Sequence, residues 1–168
     1  MLTKTEFLAA LKREEKILIH LSTKLESKHL DFRLTPPQRS TRELLQYLTI
    51  NALAGTTYFV TGSWDHWQPM ADKAKAIDLA GFAAAMKKQN QAVAKLLKPI
   101  SDKAFITRKV TSITGKGTLP LAQALFENTL NWCIGYRMQL FLQAKAAGLS
   151  EIGTSNLWMG KDSAKKKK

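Results

Sequence analysis

The chain has 168 residues, of which 45% are hydrophobic and 23% charged, and this balance is typical of one soluble globular domain. No apolar run approaches the length of a membrane span, and the single cysteine, Cys133, excludes an internal disulfide framework. The N-terminal residues carry too many charges for a secretory signal, so we expect a cytoplasmic protein.

The net charge of +13 is the one unusual total, and residues 161–168 contribute five lysines to it. Such a charge favours association with polyanions, so a basic nucleic-acid-associated protein is one alternative for the function. The basic residues of the body are scattered, however, and they lack the interleaved exposed aromatics of a single-strand binder. Solvated helix faces and a solubilising tail are therefore favoured over a nucleic-acid interface.

The first two predicted helices lie in the N-terminal third of the chain. Apolar residues recur at helical spacing over residues 5–27. The second helix begins at Ser40, because Ser40 and Glu43 form a capping box and the preceding "TPP" stops any helix upstream. Its apolar face also carries Tyr47 and Asn51, so the predicted helix includes both.

The third and fourth predicted helices lie in the C-terminal half. The third spans about 79–98 and ends before Pro99, which cannot continue a helix. The fourth runs from about 120 to 147 and ends at Gly148. Its apolar stripe includes three polar or aromatic residues of interest, Asn128, Trp132 and Tyr136.

The connecting segments 55–77 and 99–119 lack helical period, so both are predicted to be long loops. Within the second, "FITRKVTSITG" alternates weakly but has no convincing partner strand. Four amphipathic helices with long connections predict an all-α four-helix bundle. We expect one domain over residues 1–160 and a disordered, lysine-rich tail over 161–168.

Several polar side chains fall on the inward faces of these helices. A core built only for stability would contain few of them, because each must find a partner or cost a few kcal/mol. The convergence therefore predicts a hydrogen-bonded network or a polar-lined cavity, and as a set the residues favour the cavity. The candidates for lining it are Glu14, Asn51, Asn128 and Gln139, beside the aromatic residues Tyr47, Trp132 and Tyr136.

The loop "SWDHWQP" carries two tryptophans on either side of a histidine. Trp64, His66 and Trp67 are predicted to pack the loop onto the bundle, with a lid over the cavity as one role. The three histidines of the chain have no helical i,i+3 or i,i+4 pair, so their spacing predicts no metal site. Cys133 has no neighbouring histidine and is predicted to be an inert buried thiol.

Three short motifs resemble those of the DinB/YfiT-like superfamily of four-helix bundles. The second helix reads "STRELLQYL", where family members commonly have S-x-x-E-L-L-x-H-L. The fourth reads "NWCIGYRMQ", where they have N-H-x-x-x-H-R-x-Q, and "TSNLWMG" resembles a segment after the last helix in one branch. The resemblance covers residues 5–160 in the right order.

The resemblance implies a site that this chain does not reproduce. In the family, three histidines of these motifs bind one divalent metal, usually Zn or Ni, and some members are thiol-cofactor-dependent transferases or isomerases. Here the three positions hold Tyr47, Trp132 and Tyr136. A tryptophan indole donates hydrogen bonds and a neutral tyrosine offers no imidazole-like nitrogen, so we expect no metal cofactor. The family also implies a homodimer.

Two hypotheses for the site stay open at this stage. In the first, which is slightly favoured, the three aromatic rings fill the volume of the imidazoles and metal and close the site. In the second, they line a metal-free pocket for a small apolar or aromatic ligand. Both describe a non-catalytic protein. The alternative is a metal-dependent enzyme that uses other ligands, such as Glu14, Asp65 and His66.

Overall fold

The first helix, α1, spans Lys4–Ser22 in the computed structural model, which describes residues 3–164. Thr3 and Glu6 form a capping box at its start, with each side chain accepting a hydrogen bond from the backbone of the other. The helix was predicted to continue to residue 27. It ends earlier because the Ser22 and Thr23 hydroxyl groups donate to the last helical carbonyls, and a 3₁₀ turn, Ser27–His29, follows.

The second predicted helix is two helices separated by a bend. Helix α2 spans Thr41–Leu48 and begins with the predicted Ser40–Glu43 capping box. After a turn at residues 49–50, α3 spans Asn51–Thr61. Most of α3 is buried, so its sequence shows no contrast between a polar and an apolar face. For this reason the prediction of a loop from residue 55 is wrong.

The segment that was predicted as the rest of this loop also contains a helix. Helix α4 spans Trp67–Ala74 and packs against α2. Helix α5, Phe82–Leu97, then confirms the third predicted helix to within a few residues. Asp78 accepts a hydrogen bond from the Gly81 backbone N–H and thereby closes the turn that precedes α5.

The segment 99–119 is also more ordered than its sequence indicated. Helix α6 spans Asp102–Thr107, and two strands, β1 at Lys109–Thr111 and β2 at Thr118–Pro120, pair in antiparallel register with Val110 opposite Leu119. The partner strand was missed because β2 is only three residues long and merges into the next helix.

The last long helix has an interruption that the periodicity did not predict. Helix α7, Leu121–Ala124, passes into a π-helical segment, Leu125–Leu130, and then into α8, Asn131–Ala146. A short helix, α9, spans Thr154–Met159 and packs against α1. The ends of the long helix agree with the prediction of about 120–147.

These elements form a helical bundle, as predicted, from α1, the α2–α3 pair, α5 and α7–α8. The buried apolar side chains form two clusters, and Leu48 belongs to one while Ala52 belongs to the other. Asn51 therefore lies where the two clusters meet. None of the helices within residues 3–164 combines the length and the apolar character that a bilayer crossing requires.

Only part of the predicted tail can be described. Residues 161–164 are exposed and carry no helix or strand, but Asp162 accepts hydrogen bonds from Asn156 and Lys24. The chain is therefore attached to the bundle as far as Asp162. Residues 165–168, on which most of the predicted disorder falls, lie outside the described residues.

Candidate ligand pocket

The bend between α2 and α3 opens a pocket of about 480 Å³ on the bundle. Tyr47 lies at the end of α2 and Asn51 at the start of α3, and the turn between them directs both side chains to this pocket. Side chains contributed by other parts of the chain complete most of its wall. The lining residues are Tyr47, Asn51, Ala54, Gly55, Trp64, Asp65, Trp67, Gln68 and Trp132.

A close approach of α3 to the last helix places Trp132 in this wall. A Cβ atom at Gly55 would lie 2.8 Å from Trp132 Cζ3 and 2.9 Å from Thr129 Oγ1, which is closer than real Cβ contacts. Only glycine at residue 55 leaves room for the indole ring in its present position. The role of Gly55 could not be predicted from the sequence, because nothing in its local motif distinguishes it from other helical glycines.

The π-helical segment ends two residues before Trp132 and contains Asn128 and Thr129, neither of which lines the pocket. Asn128, predicted to line the cavity, donates instead to the Ala124 carbonyl at 3.0 Å and does not line the pocket. The fully buried Thr129 hydroxyl has no hydrogen-bond partner among the described residues. Such segments occur frequently at functional sites, and the sequence contains no signal that would have predicted this one.

The two tryptophans of the predicted lid both line the pocket. Trp64 stacks on Tyr58 with ring centroids 4.6 Å apart, and Trp67 meets Tyr47 edge-on at 5.9 Å. His66 takes a different position, with its Nε2 atom 2.9 Å from the Ala54 carbonyl oxygen. The histidine thus ties the start of α4 to α3, while the tryptophans form the outer wall.

Tyr136 stands behind the wall and does not line the pocket. Its ring lies edge-on to that of Tyr47, with centroids 4.8 Å apart. The Arg39 guanidinium lies 4.1 Å from the centroid of the Tyr47 ring and 5.8 Å from that of Tyr136. Burial, and then the neighbouring Tyr136, raises the pKa of Tyr47, so its phenol keeps its proton at neutral pH.

Asn51 is the most buried polar residue that lines the pocket. The residue is only 2% exposed, and its Nδ2 atom has no hydrogen-bond partner among the described residues. Its Oδ1 atom accepts only a weak bond from Cys133 Sγ at 3.8 Å. Burial raises the pKa of Cys133 to about 12, so the thiol stays protonated and is a poor nucleophile.

Glu14 and Gln139 lie outside the pocket, although both were candidates for lining it. The Glu14 carboxylate pairs with Arg137, whose Nη1 atom lies 3.0 Å from Oε1 and 2.9 Å from Oε2. Arg137 follows Tyr136 directly, and successive helical residues point in different directions, so it draws Glu14 away from the pocket. Gln139 donates to Gln143 Oε1 at 3.4 Å.

The Glu14–Arg137 pair is buried between α1 and α8, with the two residues 2% and 3% exposed. The Trp158 ring of α9 covers the guanidinium, with its centroid 4.8 Å from Arg137 Cζ. Burial raises the pKa of Glu14 and lowers that of Arg137, while each charge opposes the shift in its partner. Each charge of the pair compensates the other in a buried environment, so we assign the pair a structural role.

The side chains at the three family metal positions do not fit Zn²⁺ or Ni²⁺. Trp132 has only an N–H donor, and Tyr47 remains a protonated phenol at neutral pH. The alternative ligands Glu14, Asp65 and His66 are not brought together, since Glu14 pairs with Arg137 and His66 contacts a backbone carbonyl. Within residues 3–164 no three His, Cys, Asp or Glu side chains form a group that could hold a metal.

Two solved structures resemble this chain over most of its length. A DinB-like protein from Bacillus cereus has a TM-score of 0.64 at 19% identity, covering 90% of this chain and 97% of that chain. A DinB-like protein from Bacillus subtilis has a TM-score of 0.64 at 12% identity, with coverages of 89% and 96%. No protein-family model matches the chain, and no curated protein matches it in sequence. The chain therefore has the fold of the DinB-like proteins, which confirms the resemblance predicted from its motifs.

Proposed function

We propose that the protein is a non-catalytic binder of a small aromatic or apolar molecule, which it holds in the pocket between α3, α4 and α8 without a metal ion. The pocket of about 480 Å³ is walled by Tyr47 and three tryptophans, with a few polar groups among them. Small-molecule sites in proteins have this size and composition. The volume left between the rings favours the hypothesis of a ligand pocket over that of a site closed by packing.

The observation that carries the proposal is the unpartnered amide of Asn51. A buried donor without a partner costs about 1–3 kcal/mol, so a residue selected for stability alone would be apolar at this position. The Asn51 Nδ2 atom is buried and belongs to a pocket-lining side chain. A ligand with a hydrogen-bond acceptor at its inner end would satisfy this donor, and its planar body would lie against the aromatic walls.

The proposal is tested with 2-naphthol, a neutral planar molecule with one acceptor oxygen. We expect saturable binding to the full chain, measured by isothermal titration calorimetry. Asn51→Leu keeps the branching and the number of heavy atoms of the side chain but removes the donor, so the affinity should fall about tenfold. The free energy of unfolding of this variant, measured with urea, should be unchanged or higher because a buried unpartnered group has been removed.

The matched control is Asn128→Leu, which makes the same chemical change at an asparagine outside the pocket. Its affinity for 2-naphthol should stay within about twofold of the wild type. Equal losses in the two variants, or no binding by the wild type, would contradict the proposal. Stoichiometric Zn or Ni in the purified protein would contradict its metal-free part.

A further inference from the structure

A second pocket of about 380 Å³ lies beside the aromatic pocket, between α2 and α4. The two share Tyr47 and Trp67, whose ring centroids are 5.9 Å apart. Because the same two rings belong to both walls, one layer of side chains separates the pockets. A ligand substituent that extends past the edge of this layer passes from the aromatic pocket into the second pocket, which Arg39 lines.

The Arg39 guanidinium is held in place by stacking, and no carboxylate within residues 3–164 forms an ion pair with it. It lies 4.1 Å from the centroid of the Tyr47 ring, an arrangement in which a cation is attracted to the ring face. Among residues 3–164, no carboxylate or carbonyl oxygen accepts a hydrogen bond from this side chain. The planar guanidinium matches the two oxygens of a carboxylate, and stacking reduces the entropy lost on binding one.

The other charges of the second pocket are already compensated. Glu43 pairs with Arg33 at 2.7 Å, and Lys75 pairs with Asp72 at 2.7 Å. Arg39 is therefore the charge that remains to attract an anion. The Asp65 carboxylate lies among the residues that line the aromatic pocket, and it is exposed. An anionic group is thus repelled from the Asp65 rim and attracted to Arg39.

We propose that Arg39 binds the anionic end of the ligand, so that the protein selects small aromatic carboxylates over neutral aromatics. This inference rests on the proposed function, since the ring of the ligand occupies the aromatic pocket. The acceptor at one end of the ligand meets Asn51, and the carboxylate at the other end meets Arg39. Asn51 lines the aromatic pocket and Arg39 lines the second pocket, with Tyr47 in the wall of both, so the two contacts together set the orientation of the ligand.

The test compares two probes with the same ring and the same far-end hydroxyl, 6-hydroxy-2-naphthoate and its neutral analogue 6-hydroxy-2-naphthamide. Both are titrated into the full chain at neutral pH by calorimetry. We expect the carboxylate to bind at least about tenfold more tightly, which corresponds to a charge-assisted hydrogen bond. In Arg39→Met this preference should disappear, because the affinity for the carboxylate falls to about that for the amide.

Arg42→Met is the matched control, because it removes one positive charge from an exposed arginine that pairs with Asp31 and lines neither pocket. It should keep the preference for the carboxylate. Arg39→Lys retains the charge but not the planar fork, and it should recover only part of the preference.

The outcomes separate this inference from the proposed function. If both probes bind equally, or if Arg39→Met and Arg42→Met lower the preference by the same factor, the inference is overturned while the pocket remains. If neither these probes nor 2-naphthol bind, both proposals fail.

Discussion

Two neighbouring regions of the bundle combine a buried polar group with aromatic rings, and they differ in whether that group lies beside an opposite charge. Hydrogen bonding alone does not separate them, because Glu14 Oε2 and Arg137 Nε also have no hydrogen-bond partner within residues 3–164. On one side of α8, Glu14 and Arg137 compensate each other and Trp158 covers the guanidinium. On the other, Asn51 lines a pocket of about 480 Å³, and its buried amide donor has no hydrogen-bond partner within residues 3–164. Tyr136 and Arg137 are consecutive residues of α8. Tyr136 packs against Tyr47 behind the pocket wall, whereas Arg137 pairs with Glu14.

The comparison shows how a structural polar contact can be distinguished from a candidate binding group. Two opposite buried charges that lie within hydrogen-bond distance stabilise each other, and no additional ligand is needed. A neutral amide without a partner has a free energy cost that a ligand can remove. The ion pair therefore explains the local fold, while the amide supports the proposal that a ligand binds. The variants described next alter either the Glu14–Arg137 pair or the aromatic pocket.

The largest effect is expected for Arg137→Met. The substitution leaves the Glu14 carboxylate buried without its partner, which should lower the free energy of unfolding by about 3–5 kcal/mol in urea titrations at neutral pH. The double variant Glu14→Leu/Arg137→Met removes both charges and should regain most of this loss. A single variant as stable as the wild type would show that the pair does not compensate buried charge.

A smaller effect is expected for Gly55→Ala, which acts on the pocket. The new methyl group would meet the Trp132 ring and the Thr129 hydroxyl, so overpacking should cost about 1–3 kcal/mol, partly offset by the better helix propensity of alanine. Displacement of the ring should also weaken 2-naphthol binding. Both quantities are measured by urea unfolding and calorimetry.

Gly135→Ala is the matched control for this variant, because Gly135 lies in α8, is exposed, and has nothing within 4 Å of the position that an added methyl group would take. It should raise the free energy of unfolding by up to about 1 kcal/mol and leave binding unchanged. If Gly55→Ala behaves in the same way, the close approach of α3 to Trp132 does not shape the pocket.

The smallest effect is the pH dependence that Glu14 contributes. Burial raises the pKa of Glu14 above its ordinary value of 4.5, although Arg137 and Arg13 oppose this. The folded state therefore binds the proton more tightly than the unfolded state. The resulting stabilisation is fully present below about pH 4.5 and is lost as the pH rises through the folded-state pKa.

This contribution is isolated by comparing the wild type with Glu14→Gln in urea titrations between about pH 4 and pH 8. The stability of the wild type relative to the variant should fall as the pH rises and then become constant. A relative stability that rises over this range would indicate a lowered pKa, and a charge pair that outweighs the effect of burial.

Local signals predicted the start of α2 and the end of α5 well, while the end of α1 and the buried segments were missed. The Ser40–Glu43 capping box and the end of α5 before Pro99 depend only on neighbouring residues. Helix α3 was not predicted because a helix that is buried on most sides has no amphipathic period. For the same reason, the close contact between Gly55 and Trp132 was not predicted.

The site was predictable in its residue types more than in its contacts. The inward-facing pattern and the family motifs indicated Tyr47, Asn51 and Trp132, and all three line the pocket. The same pattern also indicated Glu14, because an inward direction does not specify which partner a side chain meets. Arg39 was missed, since it precedes the helix cap and belongs to no periodic face.

The sequence by itself therefore determined the helical fold and the presence of Tyr47, Trp132 and Tyr136 in place of the imidazoles of the family motifs. Both follow from residue identity and spacing along the chain. Only the tertiary structure decided that the rings leave a pocket, that the Asn51 amide donor has no hydrogen-bond partner among the described residues, and that Arg39 stacks on Tyr47. These contacts depend on the bend after α2, the π-helical segment and the packing of α4, which join residues far apart in the chain.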